Sequence, residues 1–343
     1  MEDSSIKPAD RLNDFANRAR HFRYLIAEFP EAVTLISFLL VFLFFSAAAA
    51  NFLSMYALSN ILTLASVNGI IVLGTATLII AGEFDLSVGS NLAVASFVFA
   101  LSMNEGISPL PAMLLALLSS TLLGLINGLI VVTTNIPSFI ATLGTLLAYR
   151  GIARIIGSGD FAYFTGEKTT LFVLLNSPLG FLNRLSAPEG NFRTSIIWFF
   201  GMAVMMSAIL LPTRFGNWLY ATGGNSGAAL AQGVDFKRVK LVAFMLSGFF
   251  AGLGGVVQFA QRASVDPLRG YGLELVVIAA AVIGGVRLSG GYGTVAGASV
   301  GILLLSMLEQ GLALMGLPIQ IFRIAVGMII ILAVISNTYI QGE

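Results

Sequence analysis

The sequence predicts an all-α polytopic membrane protein of about ten transmembrane helices, and three observations predict it. Of 343 residues, 57% are apolar and only 10% are charged, where a soluble domain is about 25% charged. The mean hydropathy is +0.91, so the apolar residues are clustered, and a span needs about 20 of them in a run. Glycine numbers 37, and membrane helices use it where backbones approach closely. The lack of cysteine excludes a disulfide scaffold, and a net charge of +1 gives a nucleic acid nothing to hold.

Taken in order, residues 1–31 hold six acids, five Lys/Arg and the only His, so they form a cytoplasmic segment outside the bilayer. Within it Leu12, Phe15, Ala19, Phe22, Ile26 and Phe29 recur every three or four residues. That amphipathic helix either lies on the membrane surface or packs against the protein's own loops. FLLVFLFFSAAAA at 38–50 has the composition of a secretory signal, but the long acid-rich segment before it and the many spans after it exclude that reading.

Ten apolar runs follow, at 32–51, 59–81, 86–103, 110–133, 137–157, 194–212, 238–261, 272–287, 293–315 and 318–337. The chain from 32 to 337 is therefore one transmembrane domain, with 338–343 as a cytoplasmic tail. Lys/Arg bias orients it. Lys7, Arg11, Arg18, Arg20, Arg23, Arg214, Lys237, Arg238, Lys240 and Arg287 fall on one side. Arg150, Arg154, Lys168, Arg184, Arg193, Arg262 and Arg269 fall on the other. The heavier side is cytoplasmic, which makes 158–193 a periplasmic loop and 213–237 a cytoplasmic connector.

Several chemistries are missing. The chain has no GxxxxGK[ST] loop, so any ATP is used by a partner. One His and no Cys leave no ordinary zinc site. Gly291, Gly293 and Ala296 spell GxGxxA, but they open an apolar run and not a βαβ unit, so they are not a dinucleotide fingerprint.

The polar residues that interrupt the runs are the candidate site. GEFDLSVGSN at 82–91 supplies Glu83, Asp85, Ser87 and Asn91. Either a helix restarts there, capped by Asp85 with its N–H groups turned toward a cavity, or an interfacial turn is capped in the ordinary way. GGVRLSGG at 284–291 matches it at Gly82/Gly284, Leu86/Leu288, Ser87/Ser289 and Gly89/Gly291. This alignment sets Asp85 against Arg287, with Ser289 beside it, an opposite-charge pair placed to close the inner end of a path. In the connector 213–237, Trp218 and Tyr220 suit the headgroup level. Gly223 and Gly224 precede Asn225, a good N-cap, and Gly233 is a good C′ residue. The helix between them, containing Ser226, Gly227, Ala228 and Ala229, is too short to span; it either seats its small surface in another protein or is a surface turn without a partner. Glu309 and Arg323 lie at equal depth on either side of the turn near Gly316, which predicts a structural intramembrane salt bridge. Gly124/Gly128, Gly248/Gly252 and Gly293/Gly297/Gly301 are steps for close helix packing.

GEFDLSVGS, FIATLGTLLAYRGIARI, LYATGGNSGAALAQGV and YGLELVVIAAAVIGGVRLSGGYGTVAGASVG, in that order, resemble the permease subunit of ribose- and xylose-type ABC importers. The resemblance covers 58–337. It implies a fold similar to the vitamin B12 importer's permease, an inner-membrane location and a path shared with a second permease subunit. It also implies a periplasmic solute-binding protein and a cytoplasmic ATPase that uses ATP and Mg, with no cofactor or metal on this chain. By the same resemblance 225–233 is the coupling helix and GEFDLSVG a signature near the path. Glu83 and Glu309-Gln310 depart from the family's Gly and Asn-Asn, and added carboxylates suit a sugar, a sugar alcohol or a cation. Rival readings are a nucleoside, furanone-signal, polyol or branched-chain amino acid ABC permease, a secondary transporter, or a membrane enzyme.

Overall fold

A computed structural model describes residues 30–164, 166, 169–186 and 190–341. The amphipathic helix expected in 1–31 lies outside them, except that α1 begins at Pro30. Helices α1 (Pro30–Ala48), α2 (Met55–Ile80), α3 (Val88–Asn104), α4 (Pro109–Thr134) and α5 (Ser138–Ile156) account for the first five runs. After them come β1 (Ala162–Tyr163), α6 (Thr170–Asn176), α7 (Gly180–Leu185), α8 (Thr194–Leu210), α9 (Arg214–Gly224) and α10 (Ser226–Ala231). The chain closes with α11 (Phe236–Arg262), β2 (Ser264–Val265), α12 (Leu273–Ile283), α13 (Val295–Leu314) and α14 (Ile319–Gln341).

Each of the ten runs thus holds an apolar helix, but their lengths differ in a way hydropathy does not reveal. α2, α4, α5, α11 and α13 are long and apolar enough to cross a membrane. α8 reaches that length only together with α9, from which it is bent by 79°. The bend falls at Pro212, which has no N–H to carry the α8 ladder past Leu211, and Thr213 then caps α9 by accepting the Gly216 N–H. The eighth run, read as a span, is corrected to a half-helix: α12 has 11 residues, about 16 Å at 1.5 Å per residue. Gly284 and Gly285, the latter at φ +87°, end it where an L-residue would resist the turn.

α2 is the axis of the bundle and is buried almost throughout. α11, α13, α8 and α12 pack around it, while α1, α4 and α14 turn Leu40, Leu43, Leu118, Ile324 and Leu332 outward, toward lipid. The glycine steps work as expected. A Cβ at Gly124 would stand 2.4 Å from Phe244 O, and one at Gly248 would stand 2.4 Å from Ser120 O, so α4 and α11 meet backbone to backbone. Gly301 and Gly297 bring α13 as close to Ala280 of α12 and to Gly284 just beyond its end. At one end of the bundle, β1 pairs antiparallel with β2, with Ala162 opposite Val265. Arg150 Nη1 donates to Pro267 O at 3.0 Å and to Arg269 O at 2.6 Å. The segment after α5 is thereby tied to the segment after α11.

Candidate functional site

The segment joining α2 to α3 is buried and polar, so its hydrogen bonds must be made within the chain. Ser138 and Thr142 of α5 accept the Phe84 and Leu86 N–H groups at 3.0 and 3.1 Å. Asp85 is completely buried, and its carboxylate is held by four donors. Oδ1 accepts from the Ser87 N–H (2.8 Å), Ser87 Oγ (2.6 Å) and Asn127 Nδ2 (3.2 Å), and Oδ2 accepts from Ser247 Oγ (3.1 Å). Asn127 Nδ2 also donates to Ser87 Oγ at 2.8 Å, and Tyr149 OH donates to Asn127 Oδ1 at 2.9 Å. One carboxylate therefore gathers α4, α5 and α11 around the start of α3.

Two expectations are corrected here. Asp85 is not the N-cap of α3; Ser87 holds that position, and Asp85 makes an Asx turn to it. Nor do the first residues of α3 line a cavity: Val88, Gly89 and Ser90 are buried, and a Cβ at Gly89 would stand 2.2 Å from Gly270 O and 2.7 Å from Glu274 Oε2. Asp85, Ser87 and Asn91, expected along a path, are wholly buried inside the chain; Asn91 Nδ2 donates to Ser120 O at 3.0 Å.

The Asp85–Arg287 pair is also corrected. Asp85 turns inward to hydroxyls and an amide, while Arg287 is exposed and stacks on the Tyr292 ring at 4.5 Å. The cation that does meet this segment is Lys240, whose Nζ pairs with Glu83 Oε1, both side chains being largely buried. The similar stretches 82–91 and 284–291 nevertheless lie side by side. A Cβ at Gly290 would stand 2.7 Å from Gly82 Cα, and Gly82, Gly290 and Gly291 all have positive φ. Ser289 is exposed beside them.

The end of α9 is wedged into this junction. The Gly291 N–H donates to Ile80 O at 2.9 Å. A Cβ at Gly223 would fall 1.9 Å from that carbonyl, and a Cβ at Gly291 would fall 2.5 Å from Gly224 Cα. Tyr220, assigned to the headgroup level from sequence, is half-buried and donates its OH to Gly293 O at 2.8 Å. The short helix α10 follows directly. Asn225 accepts the Ala228 N–H at 3.0 Å, as its N-cap reading requires, and Gly233 takes φ +82° after the helix. Gly227, Ala228, Leu230 and Ala231 are exposed, but Ala229 is buried against the chain, so it belongs to the inner face and not the outer one.

Glu309 and Arg323 do not pair. Among the described residues the ion pairs are Lys240–Glu83, Arg238–Asp235 and Arg269–Asp266. Counting residues from the turn set the height of both groups but not their azimuth: Arg323 is exposed and lines a cavity with Asp266 and Arg269.

Residues 57–334 match the family model described as the branched-chain amino acid transport system / permease component. The chain belongs to this family. It is 33% identical over 312 residues to the ribose import permease protein RbsC of Escherichia coli (strain K12), covering 90% of this chain and 93% of that protein. It is 34% identical over 289 residues to the autoinducer 2 import system permease protein LsrC of Salmonella typhi, covering 84% of this chain and 80% of that one. No solved structure matches. With the family come the class and place of the molecule, a polytopic permease subunit of the ABC-importer kind in the inner membrane. Asp85 is visible in the sequence as a candidate, but its partners Asn127 and Ser247, and Tyr149 behind Asn127, are not. Asn127 and Ser247 are single polar residues in apolar stretches, and that interruption was the available signal.

Proposed function

We propose that this permease carries a small polyhydroxylated solute, a monosaccharide, inward, at the expense of ATP hydrolysed by a separate cytoplasmic subunit with Mg. The observation that carries this reading is the 33% identity to a ribose import permease over nearly the whole of both chains. A furanone-type signal is the second reading, favoured by the 34% identity to an autoinducer 2 permease.

In this reading the chain works with a second permease subunit and a periplasmic solute-binding protein. The ends of the domain are cytoplasmic, 158–193 is periplasmic, and α10 docks in the ATPase through its exposed small side chains. Glu83, Arg287 and Ser289 then lie at the cytoplasmic end, where motion of α10 reaches the segments 82–87 and 284–294. The chain converts movement of its partner into alternate opening of the path.

Uptake of labelled D-ribose, D-xylose and autoinducer 2 by cells holding the full importer tests the proposal. One of the sugars should accumulate, and uptake should vanish when the ATPase gene is removed. Uptake that survives that removal would overturn the importer mechanism, and uptake of the signal alone would select the second reading. The chain has no cysteine, so Thr169→Cys should react with an impermeant thiol reagent from outside, and Gly227→Cys only after the membrane is opened. Reversed labelling would overturn the orientation.

A further inference from the structure

Near the ends of α2, α11 and α13 that face the 158–193 loop, the bundle holds a cavity of about 210 Å³ lined by side-chain amides. Asn60 and Asn68 of α2, Gln258 and Gln261 of α11, and Gln310 of α13 converge on it. At about 30 Å³ per water it has room for roughly seven waters, the scale of a small solute.

Amides at membrane depth are costly and need a reason. Part of this set serves the fold: Asn191 Nδ2 donates to Asn60 Oδ1 at 2.7 Å, and Asn176 Nδ2 to Gln261 Oε1 at 3.4 Å. Gln258 is different. Its buried Oε1 has no partner, and its side chain stands between this cavity and a second one of about 740 Å³ that shares only Gln258 and Arg262 with it.

We propose that this amide-lined cavity is a resting site for a neutral polyhydroxylated solute inside the permease, with the Gln258 side chain turning its unpartnered carbonyl to accept a solute hydroxyl. The assignment rests on the importer reading above and adds where the solute stops and what it is. Each amide both donates and accepts, as each sugar hydroxyl does. No carboxylate lines the cavity, and its one charged residue is the cation Arg262. The added acids of this chain are elsewhere, Glu83 on Lys240 and Glu309 outside the lining. The site therefore selects a sugar or sugar alcohol and rejects a cationic solute.

The cysteine-free chain permits a direct test. Gln258→Cys and Asn68→Cys, in the full importer in right-side-out vesicles, are labelled with an impermeant thiol reagent, with Thr169→Cys as an exposed control. D-ribose, D-xylose and D-sorbitol at millimolar concentration should slow labelling of the two cavity positions, D-glucosamine should not, and the control should be unaffected. Gln258→Leu should insert normally and lower maximal uptake about fivefold, the factor carried by one lost hydrogen bond. Protection by none of the neutral probes, equal protection by the amine, or failure of both cavity cysteines to react would overturn the site. Dependence of wild-type uptake on the ATPase reads the importer mechanism separately, so the two failures are distinguishable.

Discussion

Replacing Asp85 by alanine or by asparagine separates a fold-holding carboxylate from a spacer. In Asp85→Asn the retained carbonyl still accepts from the Ser87 N–H, Ser87 Oγ and Asn127 Nδ2, the contacts now made by Oδ1. The new amide N–H donates to Ser247 Oγ, whose hydroxyl rotates to accept; all four bonds persist but become neutral, a loss offset by no longer burying a charge, for a net cost of about 1 kcal/mol. In Asp85→Ala the hydroxyls of Ser87 and Ser247 can turn elsewhere, but the Ser87 N–H and one Asn127 N–H are left buried without acceptors. At about 1–3 kcal/mol per orphan donor, the alanine variant with its two orphans should lose about 2–6 kcal/mol. Thermal unfolding of detergent-solubilised protein, followed by fluorescence-detected size exclusion, measures both. The expected order is wild type, then Asn slightly below, then Ala with a strongly reduced folded yield. Equal transitions for Asn and Ala would refute the network, because it would mean that the four hydrogen bonds do not hold α3, α4 and α11 together.

Gly223→Ala should destabilise the chain and abolish uptake, since its methyl would sit 1.9 Å from Ile80 O. Gly144→Ala, with nothing within 4 Å, should do neither in the same melting and uptake assays. Removing one partner of the largely buried Lys240–Glu83 pair should cost about 3–5 kcal/mol, with Lys240→Met/Glu83→Leu recovering part of it in a double-mutant cycle; strict additivity would show that the pair is uncoupled. Ala228→Arg should leave insertion and melting intact while ending uptake and weakening ATPase pull-down, because Ala228 is exposed. Normal uptake in that variant would remove α10 from its coupling role.

Hydropathy alone located the ten helices, because each apolar run is coded locally by its own residues. What it missed depends on neighbours. α12 has the composition of a span, but Gly284 and Gly285 stop it, and only the packing of Gly297 and Gly301 against it explains why a short helix suffices. α9 was overlooked because RFGNWLYATGG is rich in glycine, and its helix is held by the Thr213 cap and by burial of Gly216, Leu219 and Thr222 against other elements. Asn225 and Gly233 were readable because caps obey one-turn chemistry. Asp85 was legible as unusual but not as inward-facing, for its direction depends on Asn127 and Ser247, far along the chain. The Glu309–Arg323 pairing failed for a related reason: depth follows from counting residues, whereas the angle around a helix axis follows from what the helix packs on.

The meeting of Gly82, Gly223, Gly224, Gly290 and Gly291 has a mechanical meaning. Where helices touch through side chains, a small push on one is absorbed by χ rotations before the next helix feels it, as in a gear train with backlash. Here carbonyl, amide and α-carbon bear directly on one another, and none of them has a rotamer to change. A displacement of the end of α9, to which α10 is joined at Asn225, is therefore passed directly to the end of α2 and to the segment before α13, with no free play to take up. The same stiffness makes the joint intolerant: a single added methyl at Gly223 does not soften the linkage but forces its parts apart.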